Sequence, residues 1–298
     1  MKGGTAREDT MRTPMIVVAV DGTEPSRAAV RWAAREAELS NRSLLVLHIL
    51  DWEWNASRYD FGGQHYALAQ EIAGGIVARA AEDAKNAAPA ITVVTDVRTG
   101  NPAAQLIIAS EEGELMVLGH RGTGGFSELR LGSVSQRVAT HAHAPVVVVR
   151  GRPDPYTGPV VVGVDDAESA DTVLESAFAA ARDRGSSLVA IRAYPPVPPM
   201  YAGYLPAAAL QTEEQDEAER ARFLERLAPW RAKYPDVPVE ALMSHDTAAA
   251  VLTGVSHTAQ LVVVGSRGHG VVVGTLLGST GLQLLHHAES PVLIVREA

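Results

Sequence analysis

Short, uninterrupted runs of Val, Ile, Leu and Ala recur along the chain, bounded by polar or turn-forming residues and without the alternation of a half-buried strand. Parallel strands covered on both faces read this way. The first half supplies Ile16–Val20, Leu44–Ile49, Ile91–Val97, Leu115–Leu118 and Val146–Val149. The second supplies Val160–Val164, Leu188–Ala193, Val237–Met243, Leu261–Val264 and Val292–Val295. Between the first two runs, Ala29, Val30, Ala33, Ala34 and Ala37 share one face of a helix over Ser26–Leu39, with Arg27, Arg31, Arg35 and Glu38 largely elsewhere. Apolar strands joined by amphipathic helices predict an α/β architecture.

The pattern is written twice. Leu115-Met-Val-Leu-Gly-His-Arg-Gly122, followed by Leu131-Gly-Ser133, returns 146 residues later as Leu261-Val-Val-Val-Gly-Ser-Arg-Gly268, followed by Leu277-Gly-Ser279. Both copies go on to His-Ala-x-x-Pro-Val, at His141 and His287, and both begin alike, Ile16-Val-Val-Ala-Val-Asp21 against Val160-Val-Val-Gly-Val-Asp165. Solenoid repeats span roughly 20 to 50 residues, so an offset this long marks a duplicated domain. The expected layout is a disordered polar tail at 1–14, a first domain at 15–150, a linker at 151–159 with three prolines and two glycines, and a second domain at 160–298. Each domain is expected to be doubly wound, with a five-stranded parallel sheet flanked by helices.

Composition narrows the function. A length of 298 residues, 46% hydrophobic and 20% charged, supports two packed cores and excludes disorder for most of the chain. A net charge of -9 argues against a nucleic-acid partner. The absence of cysteine removes disulfides, thiolate catalysis and Cys-ligated metals. Neither a signal-peptide core nor an apolar run of membrane-spanning length is present, so no membrane contact and a cytoplasmic location are expected.

Ligands of open α/β sheets bind beyond the carboxyl ends of the strands, where the strand order reverses. Asp21 and Asp165 follow the first strands, and Gly119 and Gly265 follow the fourth. Glycines at 119, 122, 124 and 125 leave room for an anion to meet backbone N–H groups. Gly132-Ser133 then opens a helix whose N-terminus favours phosphate, with the Ser133 and Ser135 hydroxyls as further donors. The second half repeats this with Gly265, Gly268, Gly270, Gly274, Gly278 and Ser279, but has Gly281 in place of the second serine. The alternative for each loop is a turn with a serine N-cap. Neither a P-loop nor a Gly-x-Gly-x-x-Gly after the first strand occurs.

Gly-2x-Gly-9x-Gly-Ser, met by Gly119, Gly122, Gly132 and Ser133 and again by Gly265, Gly268, Gly278 and Ser279, resembles the nucleotide motif of the universal stress protein family in its tandem form. The resemblance covers nearly the whole chain after Pro14. It implies strand order 3-2-1-4-5 in each half and ATP, with or without Mg²⁺, as ligand. Carried over, it implies contacts from Asp21, Ile49, Gly119, Gly122, Gly132, Ser133, Val134 and Ser135, and from Asp165, Ala193, Gly265, Gly268, Gly278, Ser279 and Thr280. The Asp and the backbone after the second strand would hold adenosine, and the glycine motif ribose and phosphates. Asp166 replaces Gly22, Arg192 replaces His48, and Asp246-Thr247-Ala248 replaces Gly100-Asn101-Pro102, which makes the second site the more doubtful, although both are expected to bind.

Other features bear on partners. Trp52, Trp54, Tyr59, Phe61 and Tyr66 crowd the connection after the second strand, and Tyr194, Tyr201 and Tyr204 its proline-rich counterpart, as an adenine cover, a partner surface or plain packing. His141, His143, His286 and His287 are read as helix-terminal rather than metal-binding. Arg121 and Arg267 stand inside the motifs as phosphate or ion-pair partners, and Arg150 and Arg296 end the last strands as surface or interface groups. The resemblance implies association through the last strand of a sheet, and Val146–Val149 and Val292–Val295 are apolar enough to pair, most simply with each other within one chain, with a homodimer and an unidentified protein partner left open. The resulting expectation is an ATP-binding stress-response regulator without catalytic residues. Slow ATP hydrolysis and a nucleotide-independent scaffold are the alternatives.

Overall fold

The structure, a computed structural model, describes residues 15–52, 64–123, 130–152, 156–167, 169–194, 213–267 and 277–296. The tail expected at 1–14 lies outside them, as do Trp54, Tyr59, Phe61, Tyr201, Tyr204, Gly124, Gly125, Gly268, Gly270 and Gly274.

In the first half the order is β1 (Met15–Val20), α1 (Glu24–Leu39), β2 (Ser43–Leu50), α2 (Gln64–Ala87), β3 (Val93–Thr99), α3 (Pro102–Ala109), β4 (Leu115–Gly119), α4 (Ser133–His141) and β5 (Val146–Val149). The second half repeats it as β6 (Val160–Gly163), α5 (Ala170–Asp183), β7 (Leu188–Ala193), α6 (Glu213–Lys233), β8 (Val239–Ser244), α7 (Ala248–Val255), β9 (Leu261–Gly265), α8 (Ser279–His287) and β10 (Val292–Val295). The third strand of each half starts two residues later than the apolar run suggests. Ile91 and Val237 are buried in the turns before those strands, where Ile91 N–H donates to Ala88 and Val237 N–H to Tyr234.

All ten strands form one sheet, ordered β3-β2-β1-β4-β5-β10-β9-β6-β7-β8, so each half has order 3-2-1-4-5. Pairing is parallel within each half and antiparallel at the seam, where Val148 faces Val292, Val147 faces Leu293 and Val146 faces Ile294. The edges of β5 and β10 are thereby used within the chain. One hydrophobic cluster runs between the sheet and α1, α2, α5 and α6, another between the sheet and α3, α4, α7 and α8, and each contains residues of both halves. The duplicated sequence thus folds with two cores, one per sheet face, rather than one per copy.

The stretch expected to link the halves is tied to the second one. Arg152 donates from its backbone to Glu289 O at 3.1 Å and from its side chain to Ala259 O at 2.7 Å, and Gln260 Nε2 donates to Gly158 O at 2.6 Å. At the seam Arg150 and Arg296 act reciprocally. Arg150, after β5, donates to the carbonyls of Leu284, Leu285 and His286 at the end of α8, while Arg296, after β10, donates to those of Ala139 and Thr140 at the end of α4. Cations at helix C-termini interact favourably with the unpaired carbonyls there. Burial, chiefly, pushes the Arg150 guanidinium down to about 10.

Candidate nucleotide site

β1 and β4 lie side by side, Ile16 opposite Leu115 and Val18 opposite Val117, so the loops after them share one crevice. Asp21 sits at its centre. Its Oδ1 accepts from Thr23 N at 3.1 Å and from Thr23 Oγ1 at 2.6 Å, and its Oδ2 accepts from Thr123 N at 2.9 Å. The carboxylate therefore ties the start of α1 to the glycine loop. A Cβ on Gly122 would lie 2.5 Å from Asp21 Oδ2, which explains the glycine there by the approach of a carboxylate. Thr23 also N-caps α1, accepting from Ser26 N. Neither Thr23 nor Thr123 was among the expected site residues, although Thr23-Glu24-Pro25 is a readable helix start.

Packing alone requires a glycine at Gly119. A Cβ there would fall 2.6 Å from the Pro25 backbone and 2.9 Å from Ser26 N, so the end of β4 and the start of α1 are in contact. At Gly265 the added atom would meet Arg267 O at 2.9 Å. The loops that follow are pinched at their bases in the same way, with Gly132 N donating to His120 O and Gly278 N to Ser266 O, both at 2.8 Å.

Those glycines are the N-caps of α4 and α8, and neither helix has a side-chain cap. By contrast α1, α3 and α7 are capped by Thr23, Asn101 and Thr247. The first intrahelical bonds of α4 and α8 are Gln136 N to Gly132 O and Leu282 N to Gly278 O, so the backbone N–H groups of Ser133, Val134, Ser279 and Thr280 precede the helical ladder. Such groups are suited to an anion. The Ser135 hydroxyl is not presented there, because it is buried and donates to Gly119 O at 2.7 Å. Gly281 in the second half therefore lacks a tie between helix and strand end rather than a donor to ligand. Likewise Gly100-Asn101-Pro102 and Asp246-Thr247-Ala248 are two ways of capping the following helix, with Ala104 N on Asn101 Oδ1 at 3.1 Å and Ala250 N on Thr247 Oγ1 at 3.3 Å.

β2 runs past the end of β1, whose last residue Val20 pairs with His48. Leu44 N and Leu50 O both bond on the β3 side, to Thr92 O and Gly100 N. Peptide groups alternate along a strand, so those of Ile49 point toward β1 at the place where β1 stops. Ala193 has the same placement, since Tyr194 N bonds on the β8 side to Ser244 O. Asp21, Ile49, Gly122 and the start of α4 thus surround one crevice, and Asp165, Ala193 and the start of α8 its copy. Asp165 Oδ1 accepts from Ala167 N at 3.1 Å, repeating the turn at Asp21.

His120, at the mouth, is held below the ordinary imidazole range by burial first and by the charge of Arg150 second. Trp52 meets Tyr66 edge-on at 5.2 Å, and Tyr66 OH lies 3.2 Å from Thr99 Oγ1, so these two aromatics brace the connection after β2. Tyr194 is held similarly by Asp216 and His245, the latter 2.9 Å from its hydroxyl. His141 Nδ1 contacts Arg137 O and His143 pairs with Glu111. Among the described residues no group of three or more His, Cys, Asp or Glu could hold a metal, and no helix is long and apolar enough to cross a membrane.

Comparison with known proteins agrees with this geometry. The sequence profile of the universal stress protein family matches residues 14–150 and again 157–296. A universal stress protein of Mycolicibacterium smegmatis is 36% identical over 292 residues, covering 94% of this chain and 96% of the relative. One from Mycobacterium tuberculosis is 35% identical over 294 residues, covering 95% and 97%. The fold is similar to the crystal structure of a universal stress protein from Archaeoglobus fulgidus, with a TM-score of 0.71 and 20% identity over 97% of this chain and 100% of that one. The chain belongs to the universal stress protein family, with two tandem family domains spanning most of its length.

Proposed function

We propose that the chain binds ATP or a related adenine nucleotide and acts as a cytoplasmic, nucleotide-dependent regulator of a stress response. One observation carries the reading. At the reversal of strand order in the first half an acidic side chain, a glycine loop and a helix N-terminus without a side-chain cap meet in one crevice, and in the second half Asp165 and the uncapped start of α8 stand at the ends of the equivalent strands β6 and β9. Backbone N–H groups of Ser133, Val134 and Ser135, with Gly122 and Gly132, would take the phosphates; Asp21 and the Ile49 backbone would take the adenosine part. Asp165, Ala193, Gly265, Gly268, Gly278, Ser279 and Thr280 would serve the second half.

Phosphates bound there would be held by dipoles fixed before binding, at little reorganisation cost. Asp21 already accepts three hydrogen bonds, so it positions the loops rather than serving as a base. Binding rather than turnover therefore fits the site, and nucleotide occupancy altering the surface around the crevices would be the signal a partner reads. The test is to denature the purified protein and identify released nucleotide by mass spectrometry, before and after incubation with ATP. Adenine nucleotide is expected, and much less from Asp21→Asn. No nucleotide after loading would sink the reading, and steady phosphate release that stops in Asp21→Asn would favour a hydrolase.

A further inference from the structure

Beside each crevice a cavity opens between the end of the first strand and the first two helices of that half, about 270 Å³ in the first half and about 310 Å³ in the second. The cavities occupy equivalent places but differ in chemistry. In the first, Val20, Gly22, Val30, Ile72 and Ile76 line the side toward the strand end, with Ile72 standing 58% exposed, and Arg79 and the Arg27–Asp83 ion pair complete the lining. The second is lined by Asp165, itself an expected ligand group, together with Asp166, Arg192 and Glu219.

These charges act as a unit. Arg192 Nη2 pairs with Asp166 and lies 3.5 Å from Glu219, with the Arg192 side chain 11% exposed and that of Glu219 20%. In the first half Gly22 and His48 stand at the positions of Asp166 and Arg192, and Ala73, counted back from the matching helix ends Ala87 and Lys233, at that of Glu219. There the His48 side chain makes the crossing, its Nδ1 2.7 Å from Val20 O, so the strand ends are joined by a side chain–backbone contact rather than by an ion pair. Asp166 and Arg192 are therefore one linked change, made effective by the parallel pairing of β6 with β7. The backbone differs too. Gly22 has φ +84, whereas Asn41 is the one non-glycine among the described residues with positive φ, so Asp166 does not share the Gly22 conformation.

We infer that the Asp166–Arg192–Glu219 ion network determines the nucleotide preference of the second half, weakening its hold on an uncharged purine relative to the first. The inference rests on the nucleotide-binding reading above. An adenine base entering beside Asp165 meets the Asp166–Arg192–Glu219 charges at the place where the first half presents Gly22 against the Ile76 side chain. Displacing Arg192 would leave a buried charge without its partners, and leaving it in place removes the surface on which a base could lie. Hydrogen bonds to charged groups are among the stronger ones, so a difference of about tenfold or more in dissociation constant is expected between the halves.

The experiment is calorimetric titration of the full chain with ATP, comparing wild type, a variant that gives the second half the first half's residues (Asp166→Gly, Arg192→His, Glu219→Ala), and a reciprocal variant that sets opposite charges in the first cavity without altering the left-handed Gly22 (His48→Arg, Ile72→Glu). Thermal unfolding checks that each remains folded. Support is a wild type with one tight site and a second at least about tenfold weaker, a smaller gap in the first variant, and a weakened tight site in the reciprocal one. Two equal wild-type sites, or a weak site unmoved by the first variant while the reciprocal variant leaves the tight site intact, would overturn the inference and leave nucleotide binding standing. No uptake by any of the three would overturn the binding reading and the inference with it.

Discussion

Gly119, Gly122 and Ser135 belong to one motif yet do different things. Gly119 admits the start of α1, Gly122 admits the Asp21 carboxylate, and Ser135 fastens α4 to the end of β4. Removing the Ser135 hydroxyl leaves a buried carbonyl without its donor, so Ser135→Ala is expected to cost about 1–2 kcal/mol in denaturant unfolding. Nucleotide affinity should change little, because this hydroxyl does not face the crevice. His120 supplies a pH dependence. Burial holds its folded pKa below the unfolded value of about 6.5, so below that pH the unfolded state binds the extra proton. Stability is therefore complete at neutral pH and declines as pH falls through about 6.5, where the unfolded imidazole begins to charge. His286 is shifted the same way, by burial first and His287 second. Unfolding curves between pH 7.5 and 5 should show the decline, and His120→Gln should flatten it. The motif spacing was legible in the chain, but the reason for each glycine was not, since it depends on which atoms approach from α1 and Asp21.

At the scale of elements, α4 and α8 start without a side-chain cap beside the crevices, as α5 does elsewhere at Ser169, whereas Asn101 caps α3. Asn101→Ala should destabilise by about 1 kcal/mol, as for other lost N-caps, with no effect on nucleotide binding. Ser133→Ala should leave stability nearly unchanged, because Ser133 is not the cap of its helix. Denaturant titration of the two variants distinguishes the cases. The central strands, mostly apolar and buried, are the elements the chain states most plainly, with ends that agree to within one residue, whereas the edge strands β3 and β8, interrupted by Asp96 and Glu240, are offset by up to two. The Asp166–Arg192 pair is the opposite case. Its members stand 26 residues apart, and only the parallel register brings the ends of β6 and β7 together.

Over the whole molecule, the halves share a sheet, two cores and a pair of exchanged helix caps. The structure predicts one cooperative unfolding transition rather than two, since neither hydrophobic cluster is confined to one half. Arg150→Ala, which strips the end of α8 of its charged donor, should lower unfolding free energy by about 2–3 kcal/mol without separating that transition into two. Calorimetry reads both. The repeat length announced the duplication, but the reach of Arg150 and Arg296 across the seam follows from antiparallel pairing of β5 with β10, which no local pattern encodes. Each arginine thus holds the C-terminal end of the other half's last helix. The central claim is that nucleotide phosphates sit on the N-terminus of α4, and hydrogen exchange with and without saturating ATP tests it most directly. The account predicts slower exchange of the amides of Ser133, Val134 and Ser135 and of the turn after β1, while the outer edges at β3 and β8 keep their rates. Unchanged exchange at the start of α4 in protein that has bound ATP would contradict it.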